Sequence, residues 1–541
     1  VNEFDIFEGN PQAEPLLLDC RQDKHEERCG VCRVKAKLGA AGLLFLMMTL
    51  LLKISGLVRD MVIAYYFGDS YQADAFLAAF IIPNMLFLFM TNGMKNTFVP
   101  SFLEAAVLGR ENNHLSQVFK VTAIGGAVAG VFGVCLSPYL IPLLYPGFSE
   151  QATTVAVGVS AWLMSALVFV GLNAVLEAYL DARQRFSTSA VSQLIVIFSM
   201  ITSAFLFAES EGPYVLAAGY LTGTIISLLF KLILAVPKQA IRLKEKINYA
   251  EIKRFYQLFL PVALTVMVGQ INLTVDNIFA GYFPEGTVTY INYAKNLVHF
   301  PQAIFGVTIA TLVFPALAKA QAAGSEFQFK QTMAQGLALM YLLVLPAIAG
   351  MMILMPQIIE LLYERGAFTR QATLATSKAA YYYFGSVLFF SLNTMINKGF
   401  YSIKQGKLIM KIGVGSVVLN LLFNYLFTRI LGFTGIPLAS SIVGLVYAAT
   451  GFILFRKHVN GLPLRMLGKE FFKITAAAGI MTGVTIPLSQ GTTGWPVIPH
   501  IVFIAFSGAA IFFGSAWLLR TAALSYLAGS FRGKTQQRET K

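Results

Sequence analysis

From residue 38 onward the chain is a succession of long apolar stretches separated by short polar ones. They cover 38–58, 73–94, 118–145, 152–180, 187–208, 212–236, 255–283, 288–318, 332–356, 372–402, 408–430, 433–455, 471–489 and 497–519, fourteen in all. A helix crosses the hydrocarbon core of a bilayer in roughly 20 residues, and each stretch is about that long or longer. None shows the alternating ten-residue segments of a lipid-spanning strand. Gly, Pro or a single charge interrupts several of them, as spanning helices tolerate where neighbours or a water-filled cavity satisfy the backbone. The pattern predicts an all-α polytopic membrane protein with about fourteen transmembrane helices.

The loops carry an independent signal. Starting from Arg33, Lys35 and Lys37, every second loop is basic, and the basic set gathers 27 Lys and Arg against five (Arg59, Arg365, Arg370, Lys378 and Arg429) in the intervening loops. Lys and Arg concentrate in cytoplasmic loops, so both termini and the basic 237–254 segment are expected on the cytoplasmic side of a cell membrane. The net charge of +14 is then a topology signal and not a footprint for nucleic acid.

The chain also repeats itself. "LLYPGFSEQAT" at 143–153 returns as "LLYERGAFTRQAT" at 361–373, "YLDARQR" at 179–185 as "YSIKQGK" at 401–407, and "FVPSFLEA" at 98–105 as "VFPALAKA" at 313–320. An even number of helices separates the copies, so they share one orientation. This predicts two parallel six-helix lobes around a central cavity, a transporter arrangement: residues 35–236 and 255–458, joined by the linker 237–254. Two C-terminal helices (459–521) stand outside the repeat, and a basic tail follows at 522–541.

Composition narrows the classes further. Only 13% of residues are charged and 56% are hydrophobic, whereas soluble domains carry roughly 25% charged residues; a soluble enzyme domain is excluded. Residues 1–34 are acidic and lack a spanning run. Their Cys20, His25, Cys29 and Cys32 read either as a small metal or redox site or, more simply, as part of a disordered cytoplasmic extension or of upstream sequence, since the chain begins at Val1; no function is assigned to them. Cys135, inside an apolar run, reads as an inert packing residue. No G-x-x-x-x-G-K-[ST] loop, H-E-x-x-H or nucleophile elbow is recognised, so the chain is not expected to be an enzyme and needs no cofactor. Gly125, Gly126 and Gly130 suggest close helix packing.

Charges at membrane depth cost roughly 2.5–3.5 kcal/mol each on insertion scales, so they need partners or a function. The first lobe offers Lys53, Arg59, Asp60, Asp74 and Glu177; the second offers Asp276, Lys295, His299 and Lys398. Lys53 and Arg59 lie on roughly opposite sides of a continuous helix, and facing one cavity together would require a break, for which Gly56 is the candidate. Arg59 and Asp60 read alternatively as an interfacial pair. Lys53, Arg59, Lys295 and Lys398 are the candidate anion-binding set, because guanidinium forks match phosphate oxygens and ammonium groups add point charge. Asp60, Asp74 and Asp276 are the candidate acidic or coupling set; Asp276 either coordinates a cation or relays a proton, or hydrogen-bonds Asn272 or Asn277. His299 reads as a packed histidine.

"ISGLVRDMVIAYYFGDSYQADAFLAAFIIPN" (54–84), "NYAKNLVHFPQAIFGVTIATLVFPALAK" (292–319), "LLYERGAFT" (361–369) and "KGFYSIKQGK" (398–407) resemble, in consistent order, motifs of the MurJ (MviN) family of lipid II flippases, in the multidrug/oligosaccharidyl-lipid/polysaccharide exporter superfamily. The resemblance implies a fourteen-helix protein with a cationic cavity between two lobes and a lipid-tail groove on the last two helices. It would move undecaprenyl-pyrophosphate-linked disaccharide-pentapeptide, a peptidoglycan precursor, between leaflets. Arg59 and Lys53 match basic positions of the cavity, and Asp60 and Asp74 acidic ones. A second-helix arginine of the family is Phe87 here and a nearby acidic position is Asn92. The family's A-D-R-L reads Ala294, Lys295, Asn296, Leu297, and Lys295, with Lys95 or Lys398, would restore the lost positive charge. The expected partners are lipid II or a related polyprenyl-pyrophosphate glycan, membrane lipids and cell-wall synthesis proteins. Coupling would be to membrane potential or to a monovalent ion. Two other readings stay open: a flippase for another polyprenyl-linked glycan of teichuronic-acid or capsule type, and a cation-coupled drug or metabolite exporter.

Overall fold

Hydrocarbon forces each backbone polar group to find its partner inside the same segment, and the apolar stretches accordingly become helices. The structure, a computed structural model, describes Met48 and residues 51–527 apart from Lys238 and residues 243–246. The N-terminal extension at 1–34, with its Cys20, Cys29 and Cys32, and most of the basic tail lie outside the described residues. No strand occurs among those described.

The first lobe holds α1 (residues 51–67), α2 (Tyr71–Val107), α3 (Glu111–Leu144), α4 (Glu150–Ser165), α5 (Leu167–Ala182), α6 (Phe186–Glu211) and α7 (Tyr214–Phe230), which runs into a π-helical turn, Lys231–Ala235. The second comprises α8 (Tyr249–Ala280), α9 (Thr287–Val298), a π turn at Gln302–Gly306, α10 (Val307–Ala322), α11 (Glu326–Leu362), α12 (Arg370–Ser402), α13 (Gly406–Leu431) and α14 (Gly435–His458). The last pair, α15 (Leu464–Gly491) and α16 (Val497–Leu518), packs on α11. By length and composition nine helical stretches among the described residues suffice to cross a membrane, one being the run 406–458 that holds both α13 and α14. The pair α4 and α5, bent by 40°, makes ten. Helices α8 and α12 are not counted among these stretches; both bury polar side chains, among them Asp276, Asn277, Ser386 and Asn393.

Small residues set the closest approaches. A Cβ on Gly223 would meet Ser199 Cβ at 2.8 Å and Val196 Cα at 2.9 Å, so α6 and α7 touch almost backbone to backbone. Gly126 and Gly130 do the same for α3 against the α4–α5 bend, with Val168 Cα and the Met164 carbonyl each 2.9 Å from the added carbon. Gly125, expected to share this role, faces open space, being one residue round the helix from the contact. Cys135, expected in packing, is exposed on α3.

Helix α8 belongs to both lobes. Its first half packs on α2 and α3: Ala263 and Phe259 fill the space beside Gly93, Phe255 lies against Phe98, and the Tyr256 and Thr122 hydroxyls are 2.8 Å apart. Its second half packs on α13 and α14. His114 of α3 ties the same end together, with Nε2 2.7 Å from Ser101 Oγ and Nδ1 2.8 Å from Glu251 Oε1. These contacts seal the lobes at the end that carries the linker.

Replacing Gly223 by Ala should lower stability by about 1–3 kcal/mol through overpacking, whereas Gly125→Ala should leave it unchanged or raise it. Thermal unfolding of the purified variants separates the two.

Candidate substrate path and its charge clusters

Arg59 and Asp60 stand where α1 passes the second lobe. Arg59 Nη2 and Nε donate to Asp60 Oδ1 at 2.7 and 3.0 Å, and the guanidinium lies 5.9 Å from the centre of the Phe80 ring. The other carboxylate oxygen of Asp60, a buried residue, accepts from Asn296 Nδ2 of α9 at 3.1 Å. This is a bridge between lobes, not a pair at a helix end. The guanidinium keeps a partly open edge, with a quarter of its side chain exposed, so it can fork onto phosphate oxygens. Lys53 is exposed on the same helix. The break proposed at Gly56 is not present: 51–67 is one uninterrupted helix, and six residues of it turn Lys53 and Arg59 to different sides.

Asp74 lies at the opposite end from the linker. Its Oδ2 accepts from Gly286 N at 2.7 Å, and its Oδ1 from Thr289 N at 2.8 Å and Thr289 Oγ1 at 2.6 Å. A first-lobe carboxylate thus caps the start of a second-lobe helix, where free N–H groups and the helix dipole favour negative charge. Tyr290 donates to Asp69 at 2.6 Å, Tyr71 N to Glu285, and Ala367 N to Tyr65 O at 2.9 Å. Gly68 and Gly366 face these contacts at positive φ, and any Cβ there would strike the Ala367 or the Tyr65 carbonyl oxygen. The far end is therefore sealed mainly by hydrogen bonds.

Asp276 and Lys295, expected to line one hollow with the other charges, belong instead to the interior of the second lobe. Asp276 Oδ2 accepts from Ser440 Oγ at 2.6 Å and Tyr383 OH at 3.1 Å, and Oδ1 from Asn424 and Asn420 at 3.2 and 3.3 Å. Asn272 donates to Ser416 and Asn277 accepts from Asn292, so neither is the partner expected of Asp276. Lys295 and His299 share with Asp276 a void of about 20 Å³, room for one water-sized body. His299 is packed, with Nδ1 2.7 Å from Gln302 Oε1. Lys295 lies around that void with Tyr383 and Phe390 of α12, while Asn296, one residue on, turns to Asp60. Lys398 of α12 lies 5.1 Å from the centre of the Phe314 ring. Phe87, at the family's arginine position, is buried and stacks on Tyr220 with ring centres 5.0 Å apart.

One cluster was not anticipated as a unit: Glu177 and Asp181 of α5, Lys95 of α2 and Lys231 at the end of α7. Its signal in the sequence was the spacing Asn173, Glu177, Asp181, a polar row at i, i+4 and i+8 in an apolar helix. An apolar groove of about 900 Å³ also runs along α6 and α7, edged by Ser199, Ser203, Thr222 and Glu211. Among the described residues no group of His, Cys, Asp and Glu could hold a metal ion.

A family model described as "Lipid II flippase MurJ" matches residues 63–506. The chain belongs to the MurJ family. A probable lipid II flippase MurJ of Vibrio cholerae is 28% identical over 476 residues, 84% of this chain and 89% of the relative. One from Aquifex aeolicus is 28% identical over 92% of this chain and 99% of its own. A solved lipid II flippase MurJ in an inward closed conformation superposes with a TM-score of 0.75 at 24% identity, covering 88% of this chain and 98% of that one. An inward-facing MATE multidrug transporter of the MOP superfamily gives 0.67 at 14% identity, covering 77% and 98%. The MurJ family is a transporter family of multi-span helical membrane proteins and not a family of catalytic enzymes.

Removing the Asp74 carboxylate strands three donors at the start of α9. In a cysteine-free background carrying Val288→Cys, a buried position, Asp74→Ala should open the far seal and speed labelling by a membrane-impermeant maleimide several-fold. A charged hydrogen bond contributes about 1.5–3 kcal/mol, enough for that shift.

Proposed function

We propose that this chain moves lipid II, the undecaprenyl-pyrophosphate-linked peptidoglycan precursor, from the inner to the outer leaflet of the bacterial cell membrane by alternating access. Membership of the MurJ family supports the substrate, and the basic-loop asymmetry supports placing the termini and linker in the cytoplasm. The observation that carries the mechanism is the Arg59–Asp60–Asn296 bridge between two separately sealed ends. The linker-end contacts open to admit the headgroup from the cytoplasm, and Arg59 exchanges part of its hold on Asp60 for phosphate oxygens. The linker end then closes and the Asp74 seal releases, while the polyprenyl tail stays among the membrane lipids. Exchange of partners at Arg59 keeps charge paired throughout, which hydrocarbon demands.

A driving force is available in the membrane potential, worth roughly 2.3 kcal/mol per charge per 100 mV. Coupling to a monovalent ion or proton would act at Asp276, whose carboxylate and the amides of Asn420 and Asn424 lie together inside the second lobe. A second reading, a flippase for another polyprenyl-linked glycan, draws support from Phe87 and Asn296, which bring no charge where the resemblance implies arginines.

Arg59→Ala should abolish growth rescue in flippase-depleted cells at unchanged expression, with lipid II no longer reaching the outer face in an accessibility assay. Loss of rescue with lipid II exposure intact would favour the second reading, and full growth of the variant would count against both.

A further inference from the structure

The cluster at the linker end of the first lobe is more than a buried salt bridge. Lys231 is wholly buried. Its Nζ donates to Asn173 Oδ1 at 2.6 Å, Glu177 Oε1 at 3.1 Å and Ser227 Oγ at 3.4 Å, so all three of its protons are placed. The other Glu177 oxygen accepts from Gln193 at 2.8 Å. Lys95 Nζ stands 3.3 Å from that same oxygen and 3.5 Å from Asp181 Oδ2. Both ammonium groups stand at similar distances from Glu177, but the Lys231 side chain is enclosed and that of Lys95 is 30% exposed. Glu177 thus has a resident cation in Lys231, and Lys95 is the one with an open side.

Lys95 also faces water. Its side chain is 30% exposed, and its exposed neighbours on α2 are Asn92 and Asn96. Amides left open on a spanning helix lie against water, because hydrocarbon would leave their hydrogen bonds unmade. The internal duplication supplies a counterpart. Pro100 and Pro315 correspond in the two repeats; Lys95 lies five residues before the first, and Lys398 sits over Phe314, the residue before the second. Each lobe therefore brings one ammonium near its copy of this proline, and on α2 Lys95 lies on the linker side of Phe80, over which Arg59 sits.

We propose that Lys95 is a releasable cation that, with Lys398, forms a first binding station for the diphosphate of the polyprenyl-linked substrate, ahead of Arg59. The proposal rests on the flippase reading. An arriving diphosphate draws Lys95 off the two carboxylates. Lys231 keeps Glu177 neutralised, so the departure exposes only Asp181, which is partly open to solvent. Lys231 is then a positioning residue: without it, Glu177 would hold Lys95 fast.

The test is titration of the purified full-length chain in lipid nanodiscs with undecaprenyl pyrophosphate, with undecaprenol as the phosphate-free arm. Lys95→Gln should weaken diphosphate binding about tenfold, about 1.4 kcal/mol, and leave undecaprenol binding unchanged; Lys95→Arg should largely restore it. Lys231→Met should also weaken it although Lys95 is intact, and adding Glu177→Gln to that variant should recover it, which a merely structural role would not. Wild-type binding by Lys95→Gln alongside lost binding by Arg59→Ala would overturn the station and leave the flippase reading standing. Wild-type diphosphate binding by both variants would remove the flippase reading as well. Should Lys95→Gln fail to fold, the Lys231→Met/Glu177→Gln pair decides: a folded double variant that stays weak overturns the proposal.

Discussion

An ion surrounded by hydrocarbon persists only where another group answers its charge, and that constraint organises this molecule. Asp60, Asp74, Glu177, Lys231, Asp276 and Lys295 are all buried. Around each of these four carboxylates the neighbouring helices deliver donors: Arg59 and Asn296 to Asp60, the start of α9 to Asp74, Lys231, Gln193 and Lys95 to Glu177, and four side chains to Asp276. The charges fall into separate small clusters, with aromatic layers such as Phe80, Phe87 and Tyr220 filling the space between α2 and α7. A transporter built this way can move an anion only by handing it between partners, since stranding a buried charge costs several kcal/mol.

The two seals use different chemistry. The far end is closed by hydrogen bonds to backbone and hydroxyl groups, with Gly68 and Gly366 permitting the approach. Such contacts are directional and lose their value over a small displacement. The linker end is closed mainly by the packing of Phe255, Phe259 and Ala263 on α2, with the Ser101–His114–Glu251 chain at its rim. Packing of that kind tolerates sliding better than it tolerates separation. Because α8 carries the linker-end contacts on its first half and the Asp276 neighbourhood on its second, any movement of that helix is felt at both places.

What the sequence by itself determined is whatever depends on local sums: the helices, from the length of each apolar stretch; the expected sidedness, from basic loops; the two lobes, from the repeated motifs; and the family resemblance. Which cation meets which anion was decided by the tertiary structure alone. Successive residues of a helix are rotated by about 100°, so Lys295 and Asn296 part company, one joining Asp276 inside the second lobe and the other reaching Asp60 in the first. Gly56 did not break α1, so Lys53 and Arg59 stayed on different sides. Lys231 and Glu177 lie 54 residues apart, and no spacing rule joins them. Hydropathy is a property of a segment, whereas a charge pair depends on the rotation and depth of two helices packed together.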